Sequence, residues 1–348
     1  MGAPAAVILG CSGPALAPGE AAFFREADPF GFILFARNVT SPDALRRLVG
    51  GLREAVGRNA PVAIDQEGGR VQRMGPPHWP SRLPALEQAA RVPRERLARA
   101  MWVRGRVMAA ELAAVGIDVN CTPLGDIAEA GTHAILRNRL YGTAPAIVAE
   151  AGAALAAGQA AGGVLGVLKH LPGHGRARLD SHLELPRVEA PLEALEAHDF
   201  APFRALAHLP MGMTAHVVYT ALDADRPATL SPPAIAAIRE RIGFAGLLMS
   251  DDLSMQALSG PLGERAAAAR AAGCDVALHC NGDRAEMAAV VAAAGRLEGG
   301  SLARASAVLA ARRPPEHADI AALEAELAGF SALSARASGA HGVRADGV

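Results

Sequence analysis

The chain has 348 residues, a formal net charge of -1, and 51% hydrophobic against 20% charged residues. A near-neutral balance offers no basic face for nucleic acid, and this apolar content excludes a disordered chain. No run of about 18 apolar residues is free of charges and turn residues, so no membrane span is expected.

The first apolar run, Ala6–Leu9, reads as a strand. It leads into Ile8-Leu9-Gly10-Cys11, which looks like a lipoprotein cleavage site. No Lys or Arg precedes Arg25, however, and the apolar stretch is short for a secretory signal, so export is not expected. The next elements in order are strand Phe32–Phe35, helix Ser41–Val56, strand Val62–Ile64 and helix Pro93–Val115. Pro93 suits a first helical turn, where a missing N–H costs nothing. Strand Ile117–Cys121, helix Ala144–Ala161, strand Val164–Leu168 and helix Pro191–His208 follow. Then come strand Gly212–Thr214, helix Pro232–Arg241, strand Leu247–Met249, helix Gly263–Ala272, strand Val276–Leu278 and helix Arg284–Ala294. After Gly299 the chain reads as two Ala-rich helices, and 331–348, rich in Gly, Ala, Ser and Arg, as a loose tail.

Strands alternating with helices predict a parallel sheet, and eight such strands predict closure. The expected fold is an α/β single-domain (β/α)8 TIM-type barrel over residues 1–330. A doubly wound open sheet is the rival; its dinucleotide-binding form loses support because no G-x-G-x-x-G follows the first strand. The four cysteines, Cys11, Cys121, Cys274 and Cys280, include no Cys-x-x-Cys pair and read as reduced, buried thiols of a cytoplasmic protein.

Barrel enzymes carry their chemistry at the C-terminal ends of the strands. Here polar strings begin where predicted strands end: DQEGGRVQR (65–73), ILRNRLYG (135–142) with Asp126 before it, KHLPGHG (169–175), DSH (180–182), His216, SDDLSM (250–255), and His279 with Asn281. Among the 34 basic residues only Lys169 is a lysine. A compact ammonium in a small pocket cannot be replaced by a planar guanidinium, so Lys169 stands out. Asp251 and Asp252 end an apolar strand and point to opposite sides. A carboxylate there suits attack on an anomeric carbon, or capping of the next turn; Asp251 is read as the nucleophile and Asp252 as the cap. Asp180 beside His182 suits a ring oriented for proton transfer; on its own the string fits a surface turn better, and its place after Lys169 and His170 favours the proton-transfer reading. Asp65, Arg73 and Arg139 suit hydrogen bonding to sugar hydroxyls, or a structural ion pair under the loop. His170 and His174 are four apart, but the intervening Leu-Pro-Gly opposes a helical metal pair. His216 and His279 read as hydrogen-bonded lining residues.

These strings together resemble the glycoside hydrolase family 3 β-N-acetylglucosaminidases, in the single-domain bacterial form of peptidoglycan recycling. The resemblance spans about Ile33 to Asn281, carried by KHLPGHG, DSH and SDDLSM and strengthened by DQEGGRVQR and AGCDVALHCN. It implies that Asp251 forms a covalent glycosyl-enzyme, that His182 is the general acid/base with Asp180 as its partner, and that Lys169, His170, Asp65, Arg73 and Arg139 bind the sugar. His182 falls in a Gly-containing loop, which is expected to swing it in when substrate binds. Leu171 stands where the family usually has Phe, and Arg137 where a small residue is common.

The implied activity is retaining hydrolysis of terminal β-linked N-acetylglucosamine from N-acetylglucosaminyl muropeptides by a monomer without metal or cofactor. A phosphorylase variant is also open, because a neutral histidine repels phosphate less than a carboxylate would. Other classes are a metal-dependent barrel hydrolase using His170, His174, His182, His216 and Asp251, a Schiff-base lyase built on Lys169, and a sugar-binding protein without catalysis.

Overall fold

The computed structural model describes residues 2–179 and 184–339, the last nine (331–339) as backbone only. Eight strands run in parallel and close on themselves: β1 (Ala5–Gly10), β2 (Pro29–Leu34), β3 (Val62–Ile64), β4 (Val119–Asn120), β5 (Leu165–Leu171), β6 (Met211–Thr214), β7 (Leu247–Asp252) and β8 (Val276–His279). Each pairs with its sequence neighbours, and β1 pairs with β8, so the order around the barrel is the order along the chain. The expected (β/α)8 barrel is therefore the observed fold.

Alternation along each strand builds two cores at once. From β1, Ala6 and Ile8 join the barrel interior with Ala63, Val119, Val167 and Met249. Val7 and Leu9 face outward and pack with the surrounding helices. Both faces are covered, which is why the strands read as short unbroken apolar runs. Ile8-Leu9-Gly10 is thus the end of a barrel strand, and Cys11 behind it is buried.

Helices follow every strand. Ser41 and Ser231 accept from the N–H three residues on, each followed by proline in the first turn, which fixes the starts of Pro42–Val56 and Pro232–Glu240. Asp283 caps Arg284–Ala294 in the same way. The stretch expected as one helix over 191–208 is three contiguous pieces, Leu192–Ala194, a π turn Leu195–Asp199, and Phe200–Ala205. Pro93 precedes a 3-10 turn, Arg94–Arg96, and the helix proper is Leu97–Ala113. Three helices escaped the sequence reading, Glu20–Ala27, Ala85–Arg91 and the short Ala134–Arg137 inside the ILRNR string.

Helix Gly299–Ala311 sends Ala305 and Val308 into the interior cluster, beside the start of β1. The last helix, Ile320–Gly339, runs through Ser331, so the expected start of a loose tail falls inside a helix. Alanine is the strongest helix former, and the segment is rich in it. Residues 340–348 of that expected tail lie outside the described residues.

Candidate active site

Strand parity decides which side chains reach the mouth of the barrel. Leu165 and Val167 of β5 face inward, and Lys169 continues that row. The same step of two leads from Ala63 to Asp65 and from Met249 to Asp251. His170 has the opposite parity, yet the β5–β6 register shifts between Leu168 and Leu171, and the irregularity re-aims it into the mouth. The result is a cavity of about 420 Å3 lined by Asp65, Arg73, Arg139, Lys169, His170 and Asp251, with others around them. That volume falls in the usual range for small-ligand sites, roughly 300–1,000 Å3. Asp180 and His182 lie outside the described residues; the chain reaches the cavity wall just before them, at Leu179.

The floor of the cavity is a charge network. The Lys169 ammonium, 2% exposed, lies 2.8 Å from Asp65 Oδ1 and 2.7 Å from Glu67 Oε1. Arg139 forks onto Glu67 with Nε at 2.9 Å and Nη2 at 2.8 Å. Arg73 reaches Asp65 Oδ2 at 3.3 Å. A hairpin makes this possible: Gly68 and Gly69 take φ of 95° and 59°, and the turn brings Arg73 back over Asp65. Burial opposes the charge of Lys169, Asp65, Glu67 and Arg139, and their partners outweigh it. Lys169 is held above its ordinary pKa by Asp65 and Glu67 despite burial. Asp65 is held well below the carboxylate range by Lys169 and Arg73, again against burial. A Schiff-base lysine must become a neutral amine, which two flanking carboxylates oppose.

Glu67 was not singled out in the sequence. Its signal was there, since it stands two residues beyond Asp65 on the same side of an extended chain. Asp126 was noted only for its place in a loop. It is buried and organises the histidines: Oδ2 lies 2.8 Å from His170 Nδ1, and Oδ1 accepts the His174 N–H at 2.6 Å. No local pattern announces that role, because its partners are over forty residues away. Asp126 thereby fixes the ring of His170 and leaves Nε2 as the other polar atom of the imidazole. His174 also lines the cavity, and burial together with His170 lowers its pKa to about 4, so it is neutral at pH 7.

Both Asp251 and Asp252 line the cavity, where alternation had placed them on opposite sides; their partners are what differ. Asp252 accepts from Ser254 N, Ser254 Oγ and Cys280 N, which ties down the turn after β7. Asp251 Oδ1 accepts the Asp252 N–H at 2.8 Å. Burial works to raise the Asp251 pKa, but His216, His170, that N–H and Lys169 outweigh it and hold the carboxyl below its ordinary value. An ionised carboxylate on the wall of a sugar-sized cavity is competent to attack an electrophilic carbon.

His216 spends both ring nitrogens, Nδ1 with Thr229 Oγ1 at 2.7 Å and Nε2 on the Asp252 carbonyl at 2.9 Å. His170 Nδ1 is likewise engaged, on Asp126 Oδ2. His216 and His279 are fully buried and do not line the cavity, so the reading of them as lining residues is corrected: they sit behind its wall. Burial at the strand ends, rather than solvent contact, explains their place.

Residues 26–313 match the family described as Glycosyl hydrolase family 3 N terminal domain. The chain belongs to that family. Among its relatives, a "Beta-hexosaminidase" of Methylococcus capsulatus is 40% identical over 274 residues, covering 77% of this chain and 80% of that one. Another from Alkalilimnicola ehrlichii is 40% identical over 283 residues, covering 79% and 80%. The crystal structure of native NagZ from Neisseria gonorrhoeae superposes with a TM-score of 0.80 at 32% identity, over 98% of this chain and 99% of that one. NagZ from the same organism in complex with N-trifluoroacetyl-D-glucosamine gives a TM-score of 0.78, with 32% identity over 94% and 98%. This family 3 chain is a glycoside hydrolase of the β-N-acetylhexosaminidase group.

Proposed function

We propose that the protein is a retaining exo-β-N-acetylglucosaminidase that removes terminal β-linked N-acetylglucosamine through a covalent intermediate on Asp251. The observation that carries this reading is the Asp251 carboxylate, held below its ordinary pKa on the wall of the cavity and facing the Lys169–Asp65–Glu67–Arg139 network. Asp65, Arg73, Arg139, Lys169 and His170 bind the sugar hydroxyls and acetamido group. One Asp251 oxygen forms a bond to the anomeric carbon as the bond to the leaving oxygen breaks. His182, oriented by Asp180, gives its proton to that oxygen. In the second half His182 takes a proton from water, the water oxygen attacks the same carbon, and Asp251 is released, so the configuration is retained. A histidine here takes the place that most retaining glycosidases give to a second carboxyl group.

The natural substrate in this reading is an N-acetylglucosaminyl-anhydromuramic acid fragment of peptidoglycan, with or without peptide, met by a cytoplasmic monomer. The resemblance of the motifs and the glucosamine-derivative complex of the Neisseria relative support it.

The test is nitrophenol release from the β-N-acetylglucosaminide. Asp251→Asn is expected to lower kcat by at least roughly a thousandfold, because the nucleophile is lost. A fluorinated slow substrate should leave one sugar on the Asp251 peptide by mass spectrometry. Activity that survives in Asp251→Asn, or that vanishes from the wild type with EDTA, defeats the reading.

A further inference from the structure

The sugar subsite consumes its own cations. Lys169 lies between Asp65 and Glu67, Arg139 forks onto Glu67, and Arg73 pairs with Asp65. Arg70 differs from these other cavity-lining cations. It is exposed where Lys169 is 2% exposed, so it stands at the rim and not on the floor. Among the described residues its guanidinium meets no carboxylate; Nη2 donates to the Ile135 carbonyl at 3.2 Å. That bond anchors the fork across the outer wall, between the hairpin after β3 and the short helix Ala134–Arg137. A neutral carbonyl leaves the charge uncancelled, and an arginine has five N–H donors to spend.

The surroundings say what such a charge meets. Ile135 and Leu136 line the cavity beside Arg70, and Leu179 and Met255 also contribute apolar surface to it. Apolar walls strengthen a charge–charge contact relative to open water. An N-acetylglucosamine unit carries no ionised group, so a cation at the rim has no counterpart on the sugar held below it. The counterpart belongs to whatever passes the rim, which for an exo-acting glycosidase is the leaving group.

We infer that Arg70 is a specificity-determining residue that recognises a carboxylate on the leaving group, so that the preferred substrates are β-N-acetylglucosaminides with an anionic aglycone. This rests on the exo-glycosidase reading above and adds to it the residue that selects the aglycone by its charge. The contact is partly in solvent, so its strength falls as salt screens it.

The experiment compares two aryl β-N-acetylglucosaminides of matched leaving-group acidity, one neutral nitrophenyl and one bearing a ring carboxylate. The quantity read is the ratio of kcat/KM for the carboxylated over the neutral substrate. Wild type should favour the carboxylated substrate, and Arg70→Gln should lower the ratio by roughly tenfold. Arg70→Lys, which keeps the charge but loses the fork, should keep part of the preference. Raising the salt should erode the ratio in wild type and leave it flat in Arg70→Gln. The same ratio in wild type and Arg70→Gln overturns the role of Arg70 while leaving the glycosidase reading intact. An equal fall on both substrates also overturns it, because it marks Arg70 as structural. If the wild type hydrolyses neither glycoside, the parent reading fails and this one fails with it.

Discussion

Glu67 shows how much a single buried residue can hold. It accepts from Arg139 twice and from Lys169, its backbone carbonyl accepts from Arg104, and its side chain is 2% exposed. Burial would raise its pKa, but Arg139 and Lys169 outweigh burial and keep it ionised. Replacing it by the isosteric glutamine leaves two buried cations short of one negative charge. Losing one partner of such a set costs about 3 kcal/mol. Glu67→Gln should therefore lower stability by about that much in a urea titration. It should also raise KM more than it lowers kcat, because the groups it orients hold the sugar before as well as during reaction. Unchanged stability together with unchanged KM would show that Asp65 alone suffices to hold Lys169. The sequence displayed Asp65, Lys169 and Asp251 because each ends a strand, whereas Glu67 and Asp126 act through distant partners.

At the scale of elements, helices Leu97–Ala113 and Pro145–Ala161 make the most extensive helix–helix contact in the barrel wall. They approach through glycine. A Cβ on Gly105 would sit 2.2 Å from the Leu155 carbonyl oxygen, and one on Gly158 would sit 2.1 Å from the Trp102 carbonyl oxygen. In an exposed helix a Gly-to-Ala change stabilises by about 1 kcal/mol. Here the added methyl meets backbone, which cannot rotate away. Gly158→Ala should instead destabilise by roughly 1–3 kcal/mol, read as a lowered Tm. A raised Tm would mean that the helices have room to separate. Helix starts were legible from Ser41, Ser231 and Asp283, because capping is local chemistry. The interruption at Leu195–Asp199 was not, since nothing local distinguishes it from continuous helix.

For the whole molecule, folding carries ionisable groups into the barrel mouth, and stability inherits their pH dependence. His174 titrates near 6.5 when unfolded and at about 4 when folded. Between those values the unfolded chain binds a proton that the folded one refuses, so stability is full above about 6.5 and declines as the pH falls towards about 4. Asp65, Glu67 and Asp126 are all lowered in the fold, so their contribution is lost later, as pH drops below their ordinary values of 3.8, 4.5 and 3.8. Wild type should thus lose stability from pH 7 to pH 5, and His174→Asn should lose less over the same interval in parallel denaturant titrations. Identical slopes would place the His174 proton elsewhere. The sequence by itself determined the eight strands, their alternation with helices, and the motifs at their ends, because period, capping and turn chemistry are written in neighbouring residues. It did not determine that Glu67 and Asp126 hold the site together, that His216 and His279 stand behind its wall, or that Arg70 is left without a carboxylate among the described residues. Those facts depend on which distant side chains meet once the barrel closes, and only the tertiary structure decides how charges are paired across it.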